Sequence, residues 1–208
     1  MCGIVGIASE DQVTDKLITG LLRQEYRGYD SSGLAVFGKD ANQVKIIKRA
    51  GKVSELEAAI KENPMIGNTG IAHTRWATHG IPTESNAHPH HSNGEVFVVH
   101  NGIIENHQEL RTTLLALGYE FESETDTEVI AHLVHAKLEE AGSLSGAVKG
   151  AVKDLEGAYA IGVIHLKEPQ VIVAARKGSP LVLGTVSYTH LRAHETEAEL
   201  VCRLLLEK

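Results

Sequence analysis

Cysteine is scarce in this sequence, with Cys2 and Cys202 the two present among 208 residues. Two cysteines cannot build the disulfide framework of a small secreted protein, so a reducing cytoplasm is the expected location. Positively charged residues are also fewer than negatively charged ones. The chain has 20 Lys and Arg residues and 27 Asp and Glu residues, which gives a net charge of −7. This balance argues against a nucleic-acid-binding surface, which needs clustered positive charge.

Long apolar runs are missing as well. No stretch approaches the ~20 residues of a membrane-spanning helix. No basic segment precedes the short apolar start, so neither a membrane partner nor a secretory signal is expected. Apolar residues nevertheless make up 42% of the chain and charged residues 23%, which is typical of a globular protein. A chain of this length can bury a sizeable core without disulfides or metals.

The hydrophobic pattern predicts a mixture of strands and helices. Short segments rich in Val, Ile and Ala indicate strands at 1–8, 33–37, 44–48, 70–76, 95–100, 158–166 and 170–175. Apolar residues at helical spacing indicate helices at 14–26, 54–60, 108–117, 125–140 and 143–155. Because the strands come in groups and do not alternate with helices, the pattern favours an α+β fold over a doubly wound parallel sheet. The last two predicted strands are expected to form a hairpin.

Three local signals refine this outline. The pair Asn101-Gly102 follows a predicted strand and is typical of a turn. Thr125 followed three residues later by Glu128 is the pattern of a helix capping box. Residues 77–93 are rich in Thr, His, Pro, Gly and Asn, and a loop of this length in a compact domain usually serves function.

Cys2 is a candidate nucleophile because of its position. It follows the initiator methionine, and we expect Met1 to be removed because cysteine is small. The thiol then shares one residue with a free α-amine, and their reference pKa values, ~8.5 and ~7.7–8.0, suit proton exchange near neutral pH. The amine can serve as the general base that other enzymes take from a distant histidine. The alternative is an ordinary residue at a frayed terminus.

Further motifs follow the N-terminal segment along the chain. After MCGIVG come YRGYDS at 26–31, HTRWATHG at 73–80, NAHPH at 86–90, HNGIIEN at 100–106 and SETDTE at 123–128. With these strings in order, residues 1–184 resemble the class II glutamine amidotransferases, which are N-terminal-nucleophile hydrolases. The resemblance implies a four-layer αββα sandwich, two antiparallel sheets between helices, truncated here at its C-terminal end. This agrees with the α+β pattern of the sequence.

The resemblance implies a catalytic group of Cys2, Asn101 and Gly102. Cys2 would attack the side-chain amide of L-glutamine, and the Asn101 amide and the Gly102 backbone N–H would hold the oxyanion. Loss of one such donor typically costs ~10²–10³ in rate. From the residues alone, a hairpin turn is the competing interpretation of this dipeptide.

Two charged residues suit the two ends of free glutamine. Arg75 fits the α-carboxylate because a guanidinium binds carboxylates through two parallel hydrogen bonds. A surface salt bridge is its alternative. Asp126 fits the α-ammonium, and its alternative is a cap or dipole partner at a helix start. These two roles of Asp126 are compatible, because one carboxylate oxygen can serve each.

The resemblance also assigns supporting residues. It places Trp76, Thr78 and His79 in a loop that closes over glutamine, with core packing as the alternative for Trp76. It places Arg27 and Gly28 near the N-terminal cysteine, where they would position the α-amine, with a helix stop as the alternative. His88, His90 and His91 suggest zinc, but no cysteine is near and the spacing gives no regular ligand face. We therefore expect no metal and no cofactor.

The wider reaction follows from the resemblance alone. The middle strings are most similar to family members that pass ammonia to fructose 6-phosphate through an isomerase domain, which is missing from these residues. Such a full-length parent is expected to be a homo-oligomer. Another class II amidotransferase, or an inactive glutamine-binding fragment that keeps Met1, are the alternatives.

The resemblance ends near Gly184. Residues 185–208 are predicted to be an unrelated tail, which looks like translated sequencing or cloning read-through. The alternative is a natural C-terminal helix, because Leu200, Val201, Leu204 and Leu205 share one helical face.

Overall fold

The computed structural model describes residues 2–38, 43–76, 80–184 and 199–205. Their strands form two antiparallel sheets. The first sheet contains Gly3–Ala8 (β1), Ser31–Phe37 (β2), Val44–Ala50 (β3) and Thr69–Arg75 (β4). The second contains His90–Ser92 (β5), Val96–Ile104 (β6), Gly157–His165 (β7), Val171–Lys177 (β8) and Glu199–Leu205 (β9). The strand orders are β1–β4–β2–β3 and β5–β6–β7–β8–β9.

Helices cover the outer face of each sheet. They span Thr14–Leu22 (α1), Val53–Glu62 (α2), His107–Ala116 (α3), Asp126–Ala141 (α4) and Leu144–Ala151 (α5), with a 3-10 turn at Glu25–Arg27. Apolar residues of α1 and α2 pack on the first sheet, and those of α3, α4 and α5 pack on the second. Among the helices of the described residues, none combines the length and hydropathy of a membrane span.

A third apolar cluster lies between the two sheets. Phe37 and Ile71 of the first sheet pack there with Phe97, Ile164 and Ile172 of the second. The layer order is therefore helix, sheet, sheet, helix, and the predicted α+β four-layer sandwich is confirmed. The predicted hairpin is also confirmed, because β7 and β8 pair antiparallel.

The predicted turn at Asn101-Gly102 is wrong. β6 continues through both residues, with Asn101 paired to Ala160 and Gly102 paired to Tyr159 in β7. The ladder ends only at Ile104. Long-range pairing with β7 thus overrides the local preference of the dipeptide for a turn, and it holds both residues on a rigid strand.

The predicted capping box is incomplete. Thr125 is the residue before α4, but its side chain makes no capping hydrogen bond. The Glu128 carboxylate does not reach back to Thr125 and accepts instead from the backbone N–H groups of Glu122, at 2.8 Å, and Ser123, at 2.7 Å. The carboxylate therefore fastens the segment before the helix to the first turn of α4.

Two strands were not expected from the sequence. β5 has the polar sequence His90-His91-Ser92, which carries no strand signal, and its pairing with β6 defines it. β9 pairs with β8 from Glu199↔Lys177 to Leu205↔Val171, so the helix alternative is wrong for 199–205. Residues 185–198 and 206–208 lie outside the described residues. The boundary at 184 stays a prediction.

Candidate active site

A cavity of about 840 Å³ opens between the two sheets. The register of the first sheet pairs Gly3 with Thr74, so Cys2, which immediately precedes β1, lies beside the end of β4. β6 and the start of α4 contribute the opposite wall. Of the ten predicted site residues, the following line this cavity: Cys2, Arg27, Arg75, Trp76, Asn101, Gly102 and Asp126.

The Cys2 thiol lies against the backbone of Trp76. The Trp76 N–H donates to Sγ at 3.1 Å, and Sγ lies 3.5 Å from the Trp76 carbonyl oxygen. Burial raises the pKa of the thiol above its ordinary value, and the hydrogen bond from Trp76 opposes this effect. A partly buried thiol with a raised pKa needs a base beside it before it can act as a thiolate nucleophile.

Asn101 connects the cysteine with a buried histidine. Its Nδ2 donates to the Cys2 carbonyl oxygen at 3.3 Å, and its Oδ1 lies 2.8 Å from Nε2 of His73. Burial lowers the pKa of His73 to about 3, although the contact with Asn101 acts in the opposite direction. The ring is therefore neutral at neutral pH. A side-chain amide is thus held next to the candidate nucleophile.

Gly102 occupies a backbone conformation that favours glycine. Its φ is +135°, a value that side-chain-bearing residues rarely adopt. A Cβ added here would also overlap the carbonyl oxygen of Ala158 on β7. Glycine at this position therefore lets the two strands approach closely at the wall of the cavity.

Arg75 is buried, with its side chain 5% exposed, so the alternative of a surface salt bridge is wrong. Its Nη2 donates to the Gly80 carbonyl at 3.2 Å, and Nη1 lies 3.5 Å from the Ile81 carbonyl. Nη1 also lies 3.7 Å from Oδ1 of Asp30. The guanidinium thus ties the segment at 80–81 to the end of β4 and places a positive charge in the cavity wall.

Asp126 is the first residue of α4 and is buried. Its Oδ2 accepts from the backbone N–H of Ile104 at 2.9 Å, and its Oδ1 lies 4.0 Å from Nδ1 of His100. One oxygen therefore fixes the end of β6. This structural contact is with β6 and differs from the helix cap considered as the alternative, and the carboxylate also lines the cavity.

The residues predicted to close over glutamine or to position the α-amine do not all line the cavity. Trp76 is 54% exposed as a residue, so core packing is wrong for it. Gly28 does not line the cavity; it lies under the Trp76 indole, which a Cβ at that position would strike. Arg27 is half-buried in the cavity wall. Thr78 and His79 lie outside the described residues.

The histidines at 88 and 90 are buried in a polar network next to the cavity. His88 stacks on His73 with ring centroids 4.0 Å apart, and His90 Nε2 lies 3.0 Å from Thr125 Oγ1. Burial lowers the pKa of both rings well below the ordinary value. In the described parts of the chain, no three His, Cys, Asp or Glu side chains are grouped as metal ligands.

His73 is not among the predicted site residues, although the sequence contains a signal for it. Side chains alternate between the two faces of a strand, so His73 shares a face with Arg75, two residues later on β4. Arg75 is predicted to point into the site, so the alternation of side chains predicts that His73 points into the site as well. The partners of His73 could not be read from the sequence, because they come from β6 and the loop before β5.

Comparison with known families decides the identity of the domain. Residues 73–192 match the family described as "Glutamine amidotransferase domain", which is more than half of the chain. The chain belongs to the glutamine amidotransferase family. The matched range includes the last three residues of β4 and all of β6, and therefore both Arg75 and Asn101.

Relatives in this family match the chain over a longer stretch. Two are named "Glutamine--fructose-6-phosphate aminotransferase [isomerizing]", from Pseudomonas putida and Pseudomonas aeruginosa, and each is 59% identical over 184 residues. The match covers 88% of this chain and 30% of each relative. The chain thus spans about a third of the length of these glutamine amidotransferase relatives.

A solved structure shows the same fold. Glutamine phosphoribosylpyrophosphate amidotransferase from B. subtilis superposes with a TM-score of 0.70 at 23% identity, over 85% of this chain and 37% of that one. The likeness places this glutamine amidotransferase domain in a known class of two-sheet sandwich.

Proposed function

We propose that this domain hydrolyses the side-chain amide of glutamine to glutamate and ammonia, with Cys2 as the nucleophile once Met1 is removed. The observation that carries the proposal is the meeting of four groups in one cavity. Cys2, Arg75, Asn101 and Asp126 come from different elements, and together they supply a thiol, a cation, an amide donor and a carboxylate. Hydrolysis of free glutamine requires a nucleophile, a donor for the oxyanion, a cation for the α-carboxylate and a carboxylate for the α-ammonium.

The first half-reaction begins with proton transfer. The α-amine of Cys2 takes the thiol proton, and the thiolate forms a C–S bond to the amide carbon of glutamine. The Asn101 amide and the Gly102 N–H stabilise the oxyanion that develops. The C–N bond then breaks, and the α-ammonium of Cys2 returns the proton to the leaving ammonia. A thioester remains on Cys2.

Water completes the cycle. The same α-amine accepts a proton from the attacking water, the new C–O bond forms and the C–S bond breaks, so glutamate leaves and the thiol is restored. Arg75 holds the α-carboxylate and Asp126 holds the α-ammonium in both steps. Trp76, Thr78 and His79 close over the substrate, and Arg27 and Gly28 keep the α-amine in position.

Within a longer protein, we propose that the ammonia converts fructose 6-phosphate to glucosamine 6-phosphate. The support is the name and 59% identity of the relatives. The whole protein would be a cytoplasmic homo-oligomer. Because this chain aligns with 30% of those relatives, incubation with glutamine and fructose 6-phosphate should release glutamate and no amino sugar. Formation of amino sugar would contradict the prediction that these 208 residues do not suffice for the transfer to the sugar.

The decisive test is covalent labelling by a glutamine-like electrophile. We would treat the 208-residue chain with 6-diazo-5-oxo-norleucine, measure its intact mass and map the adduct. The expected result is one adduct on Cys2 of a chain that lacks Met1. No adduct, or an adduct on Cys202 alone, would overturn the proposal for this chain.

A second measurement separates hydrolysis from binding. A chain that keeps Met1 has an amide where the α-amine should be and lacks the base, so it would bind glutamine without turning it over. N-terminal mass and glutamate release, measured on the same sample, distinguish the enzyme from such a binding fragment. A processed chain that binds glutamine and releases no glutamate would refute the catalytic assignment.

A further inference from the structure

The orientation of the Asn101 amide can be read from its two neighbours. One terminal atom faces the Cys2 carbonyl oxygen at 3.3 Å, and the other faces Nε2 of His73 at 2.8 Å. An amide oxygen against the Cys2 carbonyl would be repelled, so the atom on that side is the nitrogen. The oxygen therefore faces His73, and Nε2 of His73 must carry a proton to donate to it.

The surroundings of His73 hold the ring in place. It is fully buried on β4, and it stacks on His88 with 13° between the ring planes. His88 is itself held, because its Nδ1 accepts from the His100 backbone N–H at 3.3 Å and its Nε2 lies 3.3 Å from Thr127 Oγ1. Since Nδ1 of His88 is an acceptor, that ring donates its Nε2 proton to Thr127.

We propose that His73 is a positioning residue for glutamine hydrolysis: its Nε2–H fixes the Asn101 side chain with the amide nitrogen towards Cys2. This inference rests on the proposed function. A free asparagine amide has two orientations of similar shape, and only one presents a donor to the oxyanion. The hydrogen bond from His73 and the Cys2 carbonyl oxygen together disfavour the wrong orientation, which would put an oxygen against the developing negative charge.

His73 remains a hydrogen-bond donor to Asn101 throughout the pH range near neutrality. Burial lowers the pKa of this ring to about 3, so it neither gains a second proton nor changes its hydrogen-bonding pattern near neutral pH. The role of His73 is therefore geometric. It does not transfer protons in the reaction.

Two substitutions separate the donor from the ring. His73→Phe keeps an aromatic ring to stack on His88 and removes the N–H. His73→Gln loses the ring and can place an amide N–H close to the former Nε2. In the 208-residue chain we expect His73→Phe to lower kcat for glutamate release by about 10–100-fold with little change in KM for glutamine. His73→Gln should recover at least about tenfold of that loss.

The matched control is His165→Phe. His165 is also buried, on β7, but it pairs with Val96 at the far end of β6 from Asn101. It should leave kcat unchanged. Thermal unfolding by circular dichroism on all variants shows whether each one is folded at the assay temperature.

A double-mutant cycle tests the route through Asn101. If His73 acts through that side chain, His73→Phe added to Asn101→Ala should cost no further kcat. Additive losses would overturn the inference, and so would a folded His73→Phe variant with the parent kcat. A wild-type chain that releases no glutamate would instead refute the proposed function, and the inference with it.

The tautomer of His73 gives a readout independent of turnover. Nitrogen-15 NMR of labelled chain should show a protonated Nε2 and an unprotonated Nδ1 for this ring at neutral pH. The opposite tautomer would mean that Asn101 donates to His73, and this would overturn the inference even in an active enzyme.

Discussion

Glu128 holds the start of α4 through a buried carboxylate, and its removal gives a quantitative test of the fold. The side chain is 5% exposed. It accepts hydrogen bonds from the Glu122 and Ser123 backbone N–H groups and from the Ser123 hydroxyl, the last at 2.6 Å. Nε2 of His132 lies 3.7 Å away. The prediction concerns Glu128→Gln, which keeps the shape and removes the charge.

The magnitude follows from the pKa of this carboxyl. Burial raises it, but His132 and the donors at Glu122 and Ser123 outweigh burial and lower the pKa from 4.5 to about 2. At 1.36 kcal/mol for each tenfold change, the charged carboxylate contributes about 3 kcal/mol to stability at pH 7. A depressed carboxyl pKa means that this stability is complete above 4.5 and is lost as the pH falls towards 2.

We therefore expect Glu128→Gln to lower the free energy of unfolding by about 3 kcal/mol at pH 7 and by about 2 kcal/mol at pH 3.5. Urea unfolding followed by far-ultraviolet circular dichroism measures both values. Glu120→Gln is the matched control, because Glu120 is exposed and should shift stability by less than about 0.5 kcal/mol. A loss below about 1 kcal/mol, or a loss that does not change with pH, would refute this reasoning.

Three further predictions concern the cavity. Cys2→Ser should abolish glutamate release while Cys202→Ser retains it, and equal activity of the two would exclude Cys2 as the nucleophile. Arg75→Lys should raise KM for glutamine by about 10–100-fold, because a lysine cannot form two parallel hydrogen bonds to a carboxylate; Arg49→Lys is the control on the same sheet, and equal KM values would contradict the role of Arg75. Gly102→Ala should destabilise the fold by at least about 2 kcal/mol in urea unfolding, because of its positive φ and the overlap with Ala158, and parental stability would be evidence against that strand geometry.

The sequence was sufficient where local pattern and tertiary pairing agree. Segments of Val, Ile and Ala such as 158–166 and 170–175 were predicted as strands, and they became β7 and β8. A buried strand needs apolar side chains on both faces, and that composition is readable without a structure. The same holds for α4, because its length and its apolar residues at helical spacing predict a helix from the sequence alone.

The sequence was insufficient where a distant strand decides the outcome. The Asn101-Gly102 pair carries a turn signal, yet β7 lies alongside and extends β6 past it. In 199–205, apolar residues at 200, 201, 204 and 205 fit a helix, and the open edge of β8 makes a strand instead. The candidate site shows the same division: residue types suggested Arg75 and Asp126, while the contact between His73 and Asn101 exists only after two sheets have stacked.

Trp76 has one more consequence, for spectroscopy. It is the single tryptophan of the chain, the residue is 54% exposed, and its backbone N–H contacts the sulfur of Cys2. Intrinsic indole emission from this protein therefore comes entirely from a residue whose backbone contacts the proposed acylation point. Stopped-flow fluorescence on the unlabelled chain can thus test in real time whether added glutamine changes the surroundings of Trp76, without an engineered probe.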